Sequence, residues 1–405
     1  MKKLLALILV ALTVISAFAV PAFAYTEVEV EDLEYYQRFK GQNISINVFN
    51  WGEYISDGAD DTLDVNEAFE ELTGIKVNYS TFASNEEMYA KLRSGGVSYD
   101  IIIPSDYMIS RMINEGMLQK LDFDNIPNFK YIDEKYQKRE YDPQNEYSVP
   151  YTWGMVGIVY DSTKLDAEEV TSWSILWDER FLGDILMFDN SRDAFAIALK
   201  LLGYSFNTEN PEEIEEAAEK LKEQKPMVQS YVMDQIFDKM QGGEAVLAPY
   251  YAGDALIMIE ENPDLAWAVP VEGTNLFIDA MCIPTSAKQK EAAEMYINFM
   301  CETEVAVATA EYIGYSTPHT QAFLELDEEI TSNPIAYPSD EVIQNTEVFF
   351  SLPDNINRLM DDLWTEVRTE TGGNPWIIPI LLVAAVAASL AINIYRKVKK
   401  SKQVY

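Results

Sequence analysis

The stretch Val48-Phe49-Asn50-Trp51-Gly52-Glu53-Tyr54 decides how this chain reads. Ile44, Ile46 and Val48 alternate with Ser45 and Asn47, the period of a half-buried strand, predicted over about 44–49. The strand runs into a turn holding an indole, a carboxylate and a phenol. Open α/β sheets bind ligands at the carboxyl ends of their strands. A carboxylate beside aromatic faces suits an organic cation.

Working outward, strands and helices alternate. A helix is predicted over about 61–72, with Gly74 as its cap, then a strand over 75–79. Ser84-Asn85-Glu86-Glu87 carries the capping-box pattern and starts a helix through Leu92, stopped by Gly95-Gly96. A short apolar strand, 99–103, precedes Pro104-Ser105-Asp106-Tyr107 and another helix. This order predicts an α/β domain with a largely parallel sheet. A second α/β pattern follows the apolar run 155–160. Its strands are predicted at 185–188, 245–248, 265–269 and 276–283, with a long helix at 288–303 and a last one at 353–369.

One arrangement recurs: a strand, then acid or hydroxyl with an aromatic ring, then a helix. It stands at 50–54, 104–107, 189–193, 250–254 and 277–279. Each alone is an ordinary turn or cap. Five on both halves of the chain predict one interdomain cleft lined by carboxylates and rings.

The two ends read differently. Lys2-Lys3, the apolar run Leu4 to Val20 and Ala22-Phe23-Ala24 have the form of a secretory signal over 1–24, cleaved before Tyr25. Residues 25–43 read as an acidic, aromatic lead-in. Residues 371–375 read as a hinge. Trp376 to Tyr395 carries no charge and is followed by a basic tail, 396–405, which together predict a single C-terminal transmembrane helix with its tail in the cytoplasm and the binding domain outside. All 67 acidic residues lie between Tyr25 and Pro375, so the central part is more acidic than the formal net charge of −37. Such a surface disfavours nucleic acid and attracts cations. Cys282 and Cys301 leave either a disulfide or two buried thiols open. The single histidine, His319, excludes a multi-histidine metal centre. No G-x-S-x-G, H-E-x-x-H or Walker motif is present, so an enzyme is not expected.

In order along the chain, Phe49–Tyr54, Thr73–Val77, Ser84–Leu92, Pro104–Tyr107, Tyr147–Gly154, Thr171-Ser172-Trp173, Leu202–Ser205, Pro270–Gly273 and Ile313–Pro318 resemble the periplasmic spermidine/putrescine-binding proteins of ABC importers. The resemblance implies a type II periplasmic-binding-protein fold: two α/β lobes joined by crossover strands near 156–160 and 274–278. Lobe 1 would comprise 44–155 and 279–323, lobe 2 156–278 and 324–370. It further implies a polyamine held in the closed cleft, an ABC permease with its ATPase as partner, no cofactor, and a monomeric receptor.

Carried over position by position, the ligand contacts would be Trp51, Glu53, Tyr54, Ser105, Tyr107, Asn190, Asp193, Tyr251, Phe277, Asp279 and Tyr315. Asn190 stands where the family has a carboxylate, Tyr251 and Phe277 where it has tryptophans, and Phe349 near where it can have a glutamine. These departures bear on which polyamine is chosen. Asp254 or Asp106 is expected to supply the charge lost at Asn190. A sensory receptor of the same fold, or a receptor for another small organic cation, is the alternative expectation.

Overall fold

The computed structural model describes residues 28–369. Strand β1 (Ser45–Trp51) buries Ile46 and Val48 completely and runs two residues further than its apolar alternation predicts. It pairs in parallel with β2 (Lys76–Phe82) over seven residues and with β3 (Ile101–Ile102) on its other side. The helix between β1 and β2 starts at Val65 rather than Asp61. Asp64 takes the N-cap, its carboxylate accepting from the Glu67 amide at 2.8 Å, and Ala59–Asp61 form a separate 3-10 turn. Such a cap contributes about 1 kcal/mol. Gly74, at φ +74°, ends that helix in the left-handed conformation that glycine adopts freely. Ser84 caps the helix Asn85–Ser94 as expected.

Two long strands join this half to the next. β4 (Ser148–Asp161) is buried along all 14 residues. Its first part pairs antiparallel with a later strand, Thr274–Cys282, and its last part with β7 (Leu247–Tyr251) and β8 (Leu265–Ala268). Thr274–Cys282 is β9; its far end pairs with β3 through Ile102 and Cys282. A register irregularity falls between Pro150 and Thr152, where proline lacks the amide a regular ladder needs. With β5 (Ile185–Phe188) and β6 (Val228–Val232), the order is β2-β1-β3-β9-β4-β7-β5-β6.

The apolar interior follows the same division. One cluster packs Ile46, Phe69, Tyr296 and Phe299 around β1 to β3. A second packs Trp173, Phe195, Leu221 and Met240 around β5 to β7, and the helix Asp354–Thr369 adds Ile356, Met360, Trp364 and Val367 to it. A third holds Phe49, Tyr107, Trp153 and Phe349 around β3 and β9.

Several local expectations are revised. β6 and the helix Ile236–Gln241 have no counterpart in the sequence reading, because Gln229 and Ser230 interrupt the apolar pattern. The helix expected over 288–303 spans Lys290–Met300. The lead-in is ordered from Val28: it forms the helix Leu33–Gln37, and buried Tyr36 donates to Glu302 at 2.6 Å and packs edge-on against Phe299. Cys282 and Cys301 are free, buried thiols. His319 is structural, its Nδ1 accepting from Ala322 N and its Nε2 lying 3.0 Å from Cys301 O.

The membrane assignment is corrected. The α/β architecture stands without a transmembrane helix: among the described residues no helix is long and apolar enough to cross a membrane. The last described helix, Asp354–Thr369, has 16 residues and is amphipathic, with charged residues along its outer face. The expected span Trp376–Tyr395, its hinge, the basic tail and the expected signal over 1–24 lie outside the described residues. The single-pass topology built on them is therefore withdrawn.

Candidate ligand-binding cleft

The carboxyl ends of β1 and β7, the start of the helix Asp106–Asn114 and the middle of β9 converge on one narrow slot. It holds about 590 Å³ of space between facing side chains, including its open mouth. Nine predicted residues line it: Trp51, Tyr54, Ser105, Tyr107, Asp193, Tyr251, Phe277, Asp279 and Tyr315.

On the β1 side, the Trp51 indole donates to Ile103 O at 2.8 Å and leans on Phe82, which fixes the ring at the slot wall. The Tyr54 hydroxyl donates to Asp279 Oδ2 at 2.6 Å and lies 2.6 Å from the Thr152 hydroxyl. Asp279 is 4 % exposed, and its Oδ1 has no hydrogen-bond partner among the described residues. Burial pushes its carboxyl up to about 6, against the opposing pull of the Ser105 and Tyr54 hydroxyls. Ser105 and Asp279 face each other across an isolated antiparallel backbone bridge. The Ser105 hydroxyl accepts from the Asn85 amide at 3.0 Å.

On the opposite side, Asp193 Oδ2 accepts from the Tyr251 hydroxyl at 2.9 Å and from the Asn190 side-chain amide at 2.6 Å. Burial raises Asp193 to about 7, with Glu86 and Asp279 adding to the rise. Asp254 is raised to about 8, first by burial and then by Asp234, Glu53 and Asp279. Three carboxyls thus stand around one slot at the edge of ionisation, an arrangement that an incoming cation relieves. Rings cover the rest. Phe277 meets Tyr251 edge-on at 5.5 Å, and Tyr54 meets Tyr315 edge-on at 4.8 Å.

Two predicted residues lie elsewhere. Glu53 adopts φ +48° and lines an adjoining, wider groove with Asp234, Asp238 and Glu311. Asn190 is buried behind Asp193. Its Oδ1 caps the helix Ser191–Leu201 by accepting from Arg192 N, and its amide holds the Asp193 carboxylate. A second carboxylate at 190 would sit against Asp193 and repel it. Phe349 lines the slot under the Arg192 guanidinium, 4.6 Å from its ring. Of the two acids considered as replacements, Asp254 lines the slot. Asp106 does not, its carboxylate accepting from Tyr107 N and Ile278 N.

The sequence reading missed Gly52, Asn85, Met233, Asp234, Tyr250 and Asn275. Asp234 follows the unrecognised strand β6. Its Oδ2 lies only 2.7 Å from where a Cβ on Gly52 would stand, so these two positions meet across the slot. A positive φ at Glu53 was the one local signal, unreadable from sequence, that turns its side chain away. The chemistry assembled is carboxylates, hydroxyls and rings, which binds cations. Among the described residues no cluster of three His, Cys, Asp or Glu is arranged to hold a metal ion.

Comparison with known proteins agrees with this geometry. Residues 65–338 match the family model described as bacterial extracellular solute-binding protein. The chain is 38 % identical over 306 residues to the spermidine/putrescine-binding periplasmic protein of Escherichia coli (strain K12), covering 75 % of this chain and 86 % of that protein. A Listeria monocytogenes structure assigned to spermidine/putrescine ABC transport is 37 % identical, with a TM-score of 0.77 over 80 % of this chain and 99 % of that one. The spermidine/putrescine ABC transporter substrate-binding protein of Streptococcus pneumoniae, solved with calcium and HEPES, is 36 % identical, with a TM-score of 0.67 over 80 % and 99 %. These relatives are binding proteins of transporters, not enzymes. This chain belongs to the bacterial extracellular solute-binding protein family, in its spermidine/putrescine-binding group.

Proposed function

We propose that this chain is the substrate-binding component of an ABC importer and takes a polyamine, spermidine or putrescine, into the slot between its lobes. The observation that carries the reading is Asp279: a carboxylate 4 % exposed, one oxygen held by Tyr54, the other without a donor, at the centre of an aromatic slot. A buried acceptor without a donor is costly unless a ligand supplies one. An ammonium supplies both donor and charge, while methylenes fill the space between rings.

In this reading Asp279 and Asp193 take the ammonium groups, and Trp51, Tyr251, Phe277 and Tyr315 enclose the methylenes. Tyr54, Ser105 and Tyr107 shape the wall. Asn190 acts through Asp193, and Glu53 guards the adjoining groove instead of contacting the ligand. Lobe 1 would comprise 44–155 and 279–323, lobe 2 156–278 and 324–370, in keeping with the apolar clusters around each set of strands. The closed form would dock on a permease driven by an ATPase. A calorimetric screen of spermidine, putrescine, lysine and calcium tests this. The di- and triamine are expected to bind saturably at one site per chain, and binding by neither would overturn it.

A further inference from the structure

Asn275 lies in β9 and is 4 % exposed; it lines the slot, and its Oδ1 has no donor among the described residues. It stands two residues before Phe277 and four before Asp279. Alternate residues of a strand share a face, and all three line the slot. Leu276 and Ile278, between them, face a separate groove with Trp153, behind the strand. The slot side of β9 therefore presents an amide acceptor, a ring and a carboxylate in a row.

The two unsatisfied acceptors, Asn275 Oδ1 and Asp279 Oδ1, mark the two ends of that row. At the strand's rise they are separated by roughly 13 Å of backbone. Asp193 flanks the Asn275 end: the two line a small hollow closed by Phe206 and Trp173. Bond lengths near 1.5 Å place the nitrogens of a four-carbon diamine roughly 6 Å apart, and the ends of a triamine with four- and three-carbon arms about 11 Å apart. A diamine can satisfy one end of the row. A triamine can reach both.

Resting on the polyamine reading of this slot, we infer that Asn275 is a specificity-determining residue. It accepts an N–H from the terminal ammonium of a triamine beside Asp193, while Asp279 holds a nitrogen beyond Phe277. A neutral amide suits this place because Asp193 already supplies the charge. A second buried carboxylate would repel it. The row grades triamines above diamines.

The test is calorimetry of spermidine and putrescine on the wild-type chain and on Asn275→Leu, which keeps volume and removes the acceptor. Spermidine is expected to weaken about 10-fold and putrescine less than 2-fold. The unliganded melting temperature should not fall, because the substitution removes an unsatisfied buried group. Asn275→Gln, which keeps an acceptor, should retain more of the spermidine preference than Asn275→Leu. Equal weakening of both amines, unchanged spermidine binding, or a lowered unliganded melting temperature would overturn the inference. Failure of the wild-type chain to bind either amine would instead overturn the polyamine reading itself.

Discussion

Gly253 presses against the ring of Tyr315: a Cβ built on it would fall 2.1 Å from Tyr315 Cδ2. Gly253 stands in the first turn of the helix Ala252–Glu261 after β7, and Tyr315 packs with the cluster around β1 to β3, so this contact joins the two halves beside the slot. No other residue fits there without displacing the Tyr315 ring or the segment that carries it. Overpacking of this kind costs about 1–3 kcal/mol. In the proposed receptor, whose lobes close on the ligand, this cost falls on the closed form, so Gly253→Ala should weaken ligand binding on the order of 10-fold while leaving the unliganded melting temperature nearly unchanged, read by calorimetry and thermal melts on the same sample. An unliganded melting temperature lowered in proportion would mean that the two halves are locked together without ligand.

The slot carboxyls set a pH dependence. Asp279, Asp193 and Asp254 are raised by burial to about 6, 7 and 8, whereas an unfolded carboxyl ionises near pH 4. Between those values the folded, unliganded protein holds more protons than the unfolded chain. These groups therefore favour folding most at low pH, and that contribution is lost as pH rises through about 4 to 8. A cationic ligand binds the ionised forms, so its affinity should rise at least about 10-fold from pH 5 to pH 8, with protons released on binding. Titrations in buffers of different ionisation enthalpy count those protons. A flat affinity profile would remove these carboxyls from the site.

Tyr54→Phe isolates one hydrogen bond. Its hydroxyl donates to Asp279 Oδ2 at 2.6 Å, and bonds to charged groups contribute about 1.5–3 kcal/mol. Losing it should weaken ligand binding about 10-fold and move the rising part of the pH profile upward, because Asp279 loses a group that lowers it. Spermidine titrations across pH on both proteins read this. An unshifted profile would place Asp279 outside the ligand's reach.

Asp100 offers the converse. Buried at 2 % exposure, its carboxylate accepts from the amides of Asn47, Lys288 and Gln289, between 2.9 and 3.0 Å. It ties β1 to the start of the helix Lys290–Met300, away from the slot. Asp100→Ala should lower stability by about 3 kcal/mol in urea unfolding, by stranding three amides. Ligand affinity in the folded fraction should stay within 2-fold.

Much of this was legible locally. The Ile46–Val48 alternation, the Ser84 cap and Gly74 as a terminator act within a few residues, whereas the Asp64 cap moved a helix start that was expected at Asp61. β6 was not, because Gln229 and Ser230 leave it without the apolar period that marks a strand. Asp234 was hidden with it, since its place opposite Gly52 depends on where β6 ends. Glu53 sits two residues from Trp51, yet a left-handed backbone turns it to the next groove. Asn275 fell just outside the predicted strand 276–283, whereas β9 begins at Thr274. Its relation to Asp193 exists only once distant segments pack together.

Calorimetric titration of spermidine and putrescine into the wild-type chain and Asp279→Asn tests the central claim most directly. The wild type should bind at one site per chain, and Asp279→Asn, which keeps shape but removes the buried charge, should bind at least about 100-fold more weakly, the loss of a buried charge-assisted contact. Wild-type binding of neither amine, or an Asp279→Asn protein that binds as tightly as wild type, would contradict it.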